Sequence, residues 1–262
     1  MSKRIYITGS GGVLGRQALV ALAEYAPGCE VIRNTADLTN LSETMQAVTA
    51  AGPLDLVIHL AALVPVDEVS ADPARGYAVN AAGTINLLAA LSGSTARLLH
   101  CSTGHVYDSQ DSAICESQET NPVSIYGKSK LIGEQAAREI CSETGRSLCV
   151  ARLFSIHDAN QTGNYLRPAL ERRFATANPD EPFELYGAQS QRDFLTAKEA
   201  AELLVRLALS QAEGVVNVGS GQPTAVAEFA QTLAPFPLSI KPMGTSNTLV
   251  ANVSLLKEIL GE

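Results

Sequence analysis

The sequence predicts an α/β fold, a doubly wound parallel sheet followed by a small C-terminal lobe. Short β-rich runs alternate with longer amphipathic stretches, which is the order of βαβ units in a parallel sheet. A glycine-rich turn follows the first of these runs. The chain has 262 residues, of which 46% are hydrophobic. This is enough to bury the core of one extended α/β unit with a small lobe.

Six runs predict the strands, at residues 4–8, 29–33, 54–60, 96–101, 147–153 and 215–218. The helical patterns lie at residues 13–25, 41–51, 73–91, 125–143, 197–210 and 225–233. Asn40, with Glu43 three residues later, is a typical cap for the second helix. After Leu153 the alternation becomes less regular. There the sequence predicts a helical segment at 160–178, a short strand at 183–186 and a mixed tail from 241 onward.

The net charge and the cysteine content limit the binding partners and the cellular compartment that we expect. A net charge of −8 argues against nucleic acid or an anionic membrane surface as a partner. The longest apolar run, 54–66, is interrupted by Asp55, His59 and Pro65 and is shorter than the ~20 residues of a membrane helix. Five cysteines without a C-x-x-C pair predict free thiols in a reducing compartment. We therefore expect a cytoplasmic protein without a signal peptide.

The glycine-rich turn predicts a dinucleotide site. Gly9, Gly12 and Gly15 follow a strand and open an amphipathic helix, the context in which a pyrophosphate binds to a helix N-terminus. A glycine-rich hairpin is the alternative. This context favours a Rossmann-type domain. The residues expected to contact the cofactor here are Gly9, Gly11, Gly12, Val13, Leu14 and Gly15.

The end of the second strand bears on which dinucleotide binds. An acidic residue there would hold an NAD ribose hydroxyl, whereas an arginine accommodates the 2′-phosphate of NADP. The sequence places Arg33 at this point and no acid, which favours NADP(H), with NAD(H) as the alternative. The alternative interpretation is that Arg33 is an ordinary solvated arginine. Asp37, the next acid, either accepts from the adenine amino group or belongs to the turn before the helix.

Tyr126 and Lys130 predict chemistry at a carbonyl or an alcohol. Residues four apart share a helix face, so both side chains would point into one cleft, where the ammonium lowers the pKa of the phenol. Thr103 follows a strand end, where its hydroxyl could bond a substrate carbonyl. The Tyr/Lys spacing alone is weak, because exposed helical pairs of this kind are common. Its combination with the glycine turn and Thr103 gives it weight.

These motifs occur in one order along the chain, with further stretches at residues 59–62, 80–88, 102–107, 151–154, 191–194, 216–221 and 254–261. With this set the chain resembles the extended short-chain dehydrogenases/reductases of the NAD-dependent epimerase/dehydratase family. The resemblance implies a catalytic trio of Thr103, Tyr126 and Lys130, no metal, and a homodimer formed through two helices. It also implies that Arg192 binds the diphosphate of a nucleotide sugar. Further cofactor contacts follow from it at Leu38, Leu60, Ala61, Ala62 and Asn80.

Departures from the family pattern limit the reactions that this chain is expected to catalyse. Gly104 and His105 stand where sugar-nucleotide dehydratases of the family carry Asp and Glu, so elimination of water lacks its proton carriers. Only three residues separate the second strand from Asp37, which resembles the ketoreductase branch. Ser155 replaces the usual asparagine. His105 and Ser155 are expected at the substrate, with His105 either an acid/base group or a residue that merely lines the cleft.

The sequence thus favours reduction of a keto group on a nucleotide-activated sugar by NADPH. A 4-epimerase with tightly held NAD is one alternative, and a non-catalytic NADP-binding regulatory subunit is another. Residues 1–158 are expected to form the dinucleotide-binding domain, with helix 196–211 packing back onto it. Residues 159–195 and 212–262 are expected to form a small substrate-binding lobe. His59, His100 and His157 show no metal-ligand spacing and are interpreted as packing or hydrogen-bonding residues.

Overall fold

The computed structural model describes residues 2–262. In chain order the strands are β1 (Arg4–Thr8), β2 (Glu30–Arg33), β3 (Leu56–His59), β4 (Arg97–Thr103), β5 (Leu148–Leu153), β6 (Ser155–His157), β7 (Phe183–Tyr186), β8 (Gln191–Thr196), β9 (Gly214–Val218), β10 (Pro223–Ala225), β11 (Ile240–Met243) and β12 (Thr248–Leu249). The helices are α1 (Val13–Tyr25), α2 (Leu41–Ala51), α3 (Val66–Ala71), α4 (Pro73–Tyr77), α5 (Gly83–Ala90), α6 (Ile125–Thr144), α7 (Leu166–Phe174), α8 (Ala197–Leu209), α9 (Val226–Leu233) and α10 (Ser254–Leu260).

The main sheet has six strands in the order β2-β1-β3-β4-β5-β9, and every pair is parallel. The order reverses at β1, because β2 lies on one side of it and β3 on the other. Parallel strands bring their carboxyl ends to one edge of the sheet. At that edge Thr8 pairs with His59, and Thr103 pairs with Leu153. Ligands of doubly wound sheets bind outside this edge.

Helices cover both faces of the sheet, which confirms the doubly wound class. On one face α1 and α8 pack together over Ile5 and Ile7 of β1. On the other face α2, α5 and α6 contribute side chains to a second core that includes Tyr6 and Leu98. Successive strand residues alternate between the two faces, so Tyr6 enters one core while its neighbours enter the other. Both sides of the strands are therefore buried, as expected of a parallel sheet.

A smaller body of structure lies at the carboxyl edge. The strand β8 pairs with β6, β10 and β12 in a second sheet, and β7 pairs with β11. The helices α7 and α9 pack with these strands around a third core centred on Phe174, Phe183 and Phe229. This is the C-terminal lobe that the irregular pattern after Leu153 predicts, although β6, β10 and β12 are too short for that pattern to reveal, and the six-residue β8 was not predicted either.

The predicted division between sheet and lobe requires a correction. The strand β9, which the range 212–262 assigned to the lobe, is the sixth strand of the main sheet and pairs with β5. Leu256 of α10 also joins the main core on the α8 side. The helix α8 packs against α1, in agreement with the prediction for 196–211. The chain leaves the main sheet after β5 and returns to it at β9. The lobe therefore consists of a segment inserted between these two strands and of further segments after β9.

Two predicted helices differ from the structure. The segment 160–178 is helical only in α7, because the chain turns at Asp158 and Gly163 has a φ of 92°, which a helix does not contain. The predicted helix 73–91 is interrupted between α4 and α5 by a π-helical turn, Ala78–Ala82. Such wide turns are frequent at functional sites. The element α3, and the 3₁₀ turn Gly104–Val106, have no counterpart among the predictions.

Within residues 2–262, none of the helices combines the length and the apolar character that a membrane crossing requires.

Candidate active site

A cleft of about 750 Å³ lies at the carboxyl edge of the main sheet and extends under the lobe. This volume falls within the range of small-molecule sites. The cleft contains most of the residues singled out from the sequence, in two groups. The first group, near the glycine turn, is Gly9, Gly11, Gly12, Val13, Leu14, Gly15, Asp37, Leu38, Leu60, Ala61 and Ala62. The second, at the ends of β4 and β5 and at the lobe, is Thr103, His105, Tyr126, Lys130, Ser155 and Arg192.

The glycine turn has the shape needed to hold a pyrophosphate. Gly9 has a φ of 70°, and a Cβ there would lie 2.6 Å from the Ala61 nitrogen. A Cβ on Gly15 would collide with the Gly9 carbonyl, so α1 can begin directly against the turn only with glycine. A Cβ on Gly11, in contrast, would meet nothing within 4 Å. The turn is thus closely packed behind and open toward the cleft, where a phosphate group can approach the start of α1.

The end of β2 forms the wall next to this turn. Arg33 is exposed and does not line the cleft, and its guanidinium makes no hydrogen bond or ion pair within residues 2–262. The following residue, Asn34, accepts from the Tyr6 hydroxyl at 2.6 Å. Asp37 accepts from the backbone and hydroxyl of Thr39, and these hydrogen bonds lower the pKa of Asp37. Asp37 therefore belongs to the turn before α2 and also faces the cleft.

The helix α6 carries the predicted proton-transfer pair. Ser124 caps it by accepting from the Gly127 backbone at 3.0 Å, which fixes the first turn beside the cleft. Tyr126 and Lys130, one turn apart, are both buried on the face toward the sheet. The aromatic ring of His105 lies edge-on to that of Tyr126, with centroids 5.7 Å apart. The phenol and the ammonium therefore reach the same cleft, as the spacing predicts.

The expected effect of Lys130 on Tyr126 does not occur in this arrangement. Burial raises the pKa of the Tyr126 phenol, and interaction with the Thr103 hydroxyl only partly offsets this. The Lys130 Nζ donates to the Cys101 carbonyl at 2.7 Å, and burial lowers the pKa of its ammonium. The shift in the pKa of the phenol is therefore upward, opposite to the predicted lowering by Lys130, because burial is its largest cause. Tyr126 is a protonated phenol at neutral pH.

A buried ion pair holds α6 against the sheet. Glu134, one turn beyond Lys130, binds Arg152 of β5 at 2.5 Å, and both side chains are almost fully buried. Its carboxylate also accepts from the Ser102 hydroxyl at 2.7 Å. Arg152 in turn donates to the Tyr107 hydroxyl at 2.7 Å. The helix that carries Tyr126 is thus bonded to β4 and β5, whose ends form the floor of the cleft.

Asn80 lies outside the cleft, although the sequence placed it among the cofactor contacts. Its side chain is fully buried and bonds both backbone groups of Leu63, at 2.8 and 2.9 Å. It also donates to Ser129 at 2.9 Å. These contacts fix the chain after β3 to the π-helical turn and to α6. With its oxygen and its amide already bonded, Asn80 positions the walls of the site from behind.

His105 and Arg192 form the side of the cleft nearest the lobe. Arg192 is held by the Asn247 side chain at 2.6 Å and the Asn247 carbonyl at 3.1 Å, and it makes no ion pair with Asp193. Asp193 is instead buried and bonded to the backbone of Ser220 and Gly221. Burial, and then the charge of Arg192, lower the pKa of His105 to about 4. His105 is therefore neutral at physiological pH.

Several residues that line the cleft were not predicted as site residues. They include Asn34, Thr35, Ala36, Phe154, Gln161, Asn164 and Phe194. Most of them lie on loops or short strands of irregular pattern, where periodicity carries no signal. Tyr165, just before α7, also lines the cleft. It lies near enough to Tyr126 to contribute to raising the pKa of that phenol.

The other histidines have different surroundings. His59 is buried between the hydroxyls of Thr8 and Thr84, at 2.7 and 3.0 Å, and burial lowers its pKa to about 3. His100 is buried beside it, with ring centroids 5.3 Å apart and no hydrogen-bond partner. His100 is thus a packing residue. Residues 2–262 contain no group of three acidic, histidine or cysteine side chains placed to hold a metal.

Comparison with known proteins identifies the family. The sequence profile of the NAD-dependent epimerase/dehydratase family matches residues 5–219. The chain belongs to this family. It is 30% identical to the GDP-6-deoxy-D-mannose reductase of Pseudomonas aeruginosa over 245 residues, which cover 89% of this chain and 80% of the relative. The solved structure of RMD from the same organism, complexed with NADPH, has a TM-score of 0.87 and 25% identity and covers 99% of this chain and 93% of its own.

A second curated protein is similar over a shorter segment. The dTDP-4-dehydrorhamnose reductase of Mycolicibacterium smegmatis is 38% identical over 138 residues. These residues cover 52% of this chain and 42% of the relative, so the matched segment spans less than half of that curated protein.

The buried ion pair generates the first prediction. Replacing Glu134 with alanine leaves Arg152 charged and buried without its partner, which typically costs ~3–5 kcal/mol. We expect that loss in the free energy of unfolding, measured by urea denaturation. Glu139, exposed on the same helix and unpaired within residues 2–262, is the matched control, and Glu139→Ala should change stability by less than ~0.5 kcal/mol. Equal stability of the two variants would contradict the role given to Glu134.

The second prediction concerns His105. Its ring signals in NMR spectra should stay constant from about pH 8 to about pH 5, because an unperturbed histidine titrates near ~6.5 but this one near about 4. Arg192→Ala should raise the midpoint, since it removes a cation and admits water, and both favour the charged ring. Arg167→Ala is the control, because Arg167 lies beside His157. Titration of wild-type His105 near ~6.5 would show that the site is not desolvated as described.

Proposed function

We propose that this protein reduces a keto group on a nucleotide-activated sugar with NADPH. The observation that carries the proposal is the meeting of Thr103, Tyr126 and Lys130 in one cleft with an open glycine turn. The turn fits a dinucleotide pyrophosphate, because it is open only on the cleft side. When bound, the cofactor supplies the hydride for the carbonyl carbon. The residues of this chain supply the proton and hold the oxygen.

Tyr126 is the proton donor to the carbonyl oxygen. Its raised pKa keeps the phenol protonated at neutral pH, which is the form that a reduction requires. The hydroxyl of Thr103, at the end of the neighbouring strand, orients the same oxygen. Lys130 lies one turn deeper and would hold the cofactor ribose, with the Cys101 carbonyl fixing its position at 2.7 Å. The protonated phenol supports reduction more directly than alcohol oxidation, the first half of an epimerisation.

The second half of the cleft supports a substrate with a diphosphate. Arg192 presents a half-buried guanidinium that no carboxylate neutralises among the described residues, in a protein of net charge −8. The hydrogen bonds to Asn247 hold the guanidinium in one orientation, which suits bidentate binding of phosphate oxygens. Neutral His105 and the hydroxyl of Ser155 line the same cleft as Arg192 and Tyr126, where a sugar would bind. The P. aeruginosa relative, whose name refers to a GDP-linked deoxysugar, supports the same substrate class.

We also propose a cytoplasmic homodimer. All five cysteines are free, which suits a reducing compartment. Ala82, at the end of the π-helical turn, and Ile85 and Ala89 of α5 form an exposed apolar stripe, and Ile132 of α6 is exposed as well. A second copy would cover this stripe through a helix-to-helix contact, as the sequence resemblance implies.

An enzyme assay tests the function. Purified protein with NADPH is offered dTDP-4-dehydrorhamnose, dTDP-4-keto-6-deoxy-D-glucose and simple aliphatic ketones, and NADPH oxidation is followed by absorbance. We expect net oxidation with a nucleotide sugar only. Conversion of UDP-glucose, a nucleotide sugar with a 4-hydroxyl, to its 4-epimer without net loss of reduced cofactor would replace the proposal with the 4-epimerase. NADPH binding without any turnover of a nucleotide sugar would favour the non-catalytic subunit.

The third prediction separates proton donation from binding. Tyr126→Phe removes the donor hydroxyl and should lower kcat by ~10²–10⁴-fold, the usual range for one general acid. The NADPH dissociation constant should stay near normal, whereas Lys130→Ala should weaken it. Tyr25→Phe, on the exposed face of α1, is the matched control. A Tyr126→Phe enzyme that keeps most of its turnover would identify another group as the donor.

The fourth prediction concerns cofactor choice. The unpaired guanidinium of Arg33 at the end of β2 is free to bind a 2′-phosphate, so NADPH should bind more tightly than NADH. Arg33→Ala should weaken NADPH binding by roughly 10- to 100-fold, the equivalent of one lost charged contact, and leave NADH unchanged. Arg138→Ala, an exposed arginine on α6, is the control. Equal affinity of the wild type for the two cofactors would rule out this role.

A further inference from the structure

His59 is a buried histidine at the carboxyl end of β3 that the catalytic scheme above does not use. It is only 1% exposed, and both of its ring nitrogens lie at hydrogen-bonding distance from a hydroxyl group. Nδ1 is 2.7 Å from the Thr8 hydroxyl, and Nε2 is 3.0 Å from the Thr84 hydroxyl. Thr8 is the residue before Gly9, whereas Thr84 lies on α5. The ring therefore joins the start of the glycine turn to a helix that covers one face of the sheet.

The surrounding groups determine which ring nitrogen carries the proton. The Thr84 hydroxyl donates its single proton to the Asn80 carbonyl at 3.0 Å, so it accepts from His59 Nε2. Nδ1 then accepts from the Thr8 hydroxyl, which itself accepts from the Ala61 backbone at 3.2 Å. In the opposite tautomer the Thr8 proton would have no acceptor in the part of the chain that the structure describes, and a buried donor left unpaired costs free energy. Because burial lowers the pKa of His59 to about 3, the ring stays in this neutral Nε2–H form.

This path of hydrogen bonds begins at the wall of the cofactor site. Ala61 lines the cleft, and its nitrogen is the atom that a Cβ on Gly9 would meet at 2.6 Å. Thr8 directly precedes Gly9 and accepts from Ala61, so its hydroxyl holds together the two sides of this close contact. A shift of Thr8 would therefore move the surface on which a dinucleotide pyrophosphate can bind.

The path ends at the helix that carries the proton donor. The Asn80 carbonyl belongs to the π-helical turn, and a Cβ on Gly133 of α6 would lie 2.3 Å from it. The Asn80 amide donates to Ser129 of α6 at 2.9 Å, and the Ser129 hydroxyl donates to the Tyr126 carbonyl at 2.8 Å. Hydrogen bonds that pass through the imidazole ring and through Asn80 therefore connect the cofactor wall to the backbone of Tyr126.

We infer that His59 is a positioning residue whose ring sets the separation between the glycine turn and the helix that carries Tyr126. The inference rests on the proposed function. In that reaction the carbonyl carbon takes a hydride from a cofactor held at the turn, and the carbonyl oxygen takes a proton from Tyr126. Both groups must therefore be correctly placed at one carbonyl, where a misplacement of about 1 Å can lower the rate by ~10²-fold. His59 itself does not line the cleft, so it acts through Thr8 and Thr84.

The kinetic test compares wild type with His59→Leu, which keeps a similar volume and removes both ring nitrogens. The substrates are NADPH and dTDP-4-dehydrorhamnose or dTDP-4-keto-6-deoxy-D-glucose, whichever the wild type reduces. At saturation kcat should fall by about 10- to 100-fold, while the KM of the sugar nucleotide stays near the wild-type value because its contacts are unchanged. His100→Leu is the matched control and should keep the wild-type kcat, since His100 is buried beside His59 and makes no hydrogen bond.

Two results would overturn the inference at this step. One is an equal loss of kcat in His59→Leu and His100→Leu, which would show that any change in this part of the core has the same effect. The other is a wild-type kcat in His59→Leu together with a lower thermal midpoint, which would show a merely structural role.

A second variant breaks the path at another link. Thr84→Val keeps the shape of the side chain and leaves His59 Nε2 without its acceptor, so kcat should fall in the same way. Combined with His59→Leu it should cause no further loss, because the path is already broken. Thr44→Val is the matched control and should keep the wild-type kcat, since Thr44 is also fully buried but donates only to backbone carbonyls before α2. Additive losses in the double variant would overturn the inference.

Nitrogen NMR of the His59 ring tests the path without any turnover. In a neutral imidazole the protonated and the unprotonated nitrogen give separate signals. We expect the Nε2–H form from about pH 5 to about pH 8, because the pKa of about 3 lies below this range. An Nδ1–H ring in an enzyme that does reduce nucleotide sugars would overturn the inference alone. A wild type that reduces no nucleotide sugar would instead refute the proposed function, and the inference with it, whichever nitrogen carries the proton.

Discussion

The arrangement of the site depends on one buried ion pair, between Glu134 and Arg152. Tyr126, Lys130 and Glu134 follow one another at four-residue intervals on α6, so the position of the last sets the position of the other two. A charge pair taken out of water is stable only if its remaining bonding capacity is filled. Ser102 and Tyr107 fill it here, and both flank the end of β4. The same contacts that satisfy the pair therefore align the helix with the strand that carries Thr103.

Desolvation, rather than direct pairing of charges, sets the protonation of the site. Tyr126 and Lys130 both shift toward their neutral forms because they are buried, and His105 does so as well. Arg192 is the strong positive charge of the lobe side and has no carboxylate beside it. The cleft thus has a protonated phenol and a neutral imidazole where a proton moves and a fixed charge where an anion would bind. This separation suits a reaction in which the anchor and the reacting carbon belong to different parts of one substrate.

Much of the fold could be predicted from the sequence, because long elements with a clear period dominate the main sheet. The bounds of α1 and α2 agree with their patterns, and α6 and α8 differ by one residue. The lobe could not be predicted in the same way. Strands such as β6 and β10 have three residues each and gain their order from pairing with β8. Among site residues, the glycine turn, Tyr126 and Lys130 have local signatures. Gln161 has none, because it lies on an irregular loop after β6 and only the packed structure brings it to the cleft.

The return of the chain to the main sheet at β9 has a consequence for biosynthesis. β5 remains an open edge until residues 214–218 have left the ribosome, and α1 lacks its cover until α8 is made. An unpaired strand edge is a template for pairing with another chain. While residues 154–213 are synthesised, roughly a quarter of the chain, the nascent protein therefore presents this open strand edge, and the first part of the lobe is made before the edge is covered. Chaperone dependence in the cell would arise from the order of the strands, independently of how stable the finished protein is.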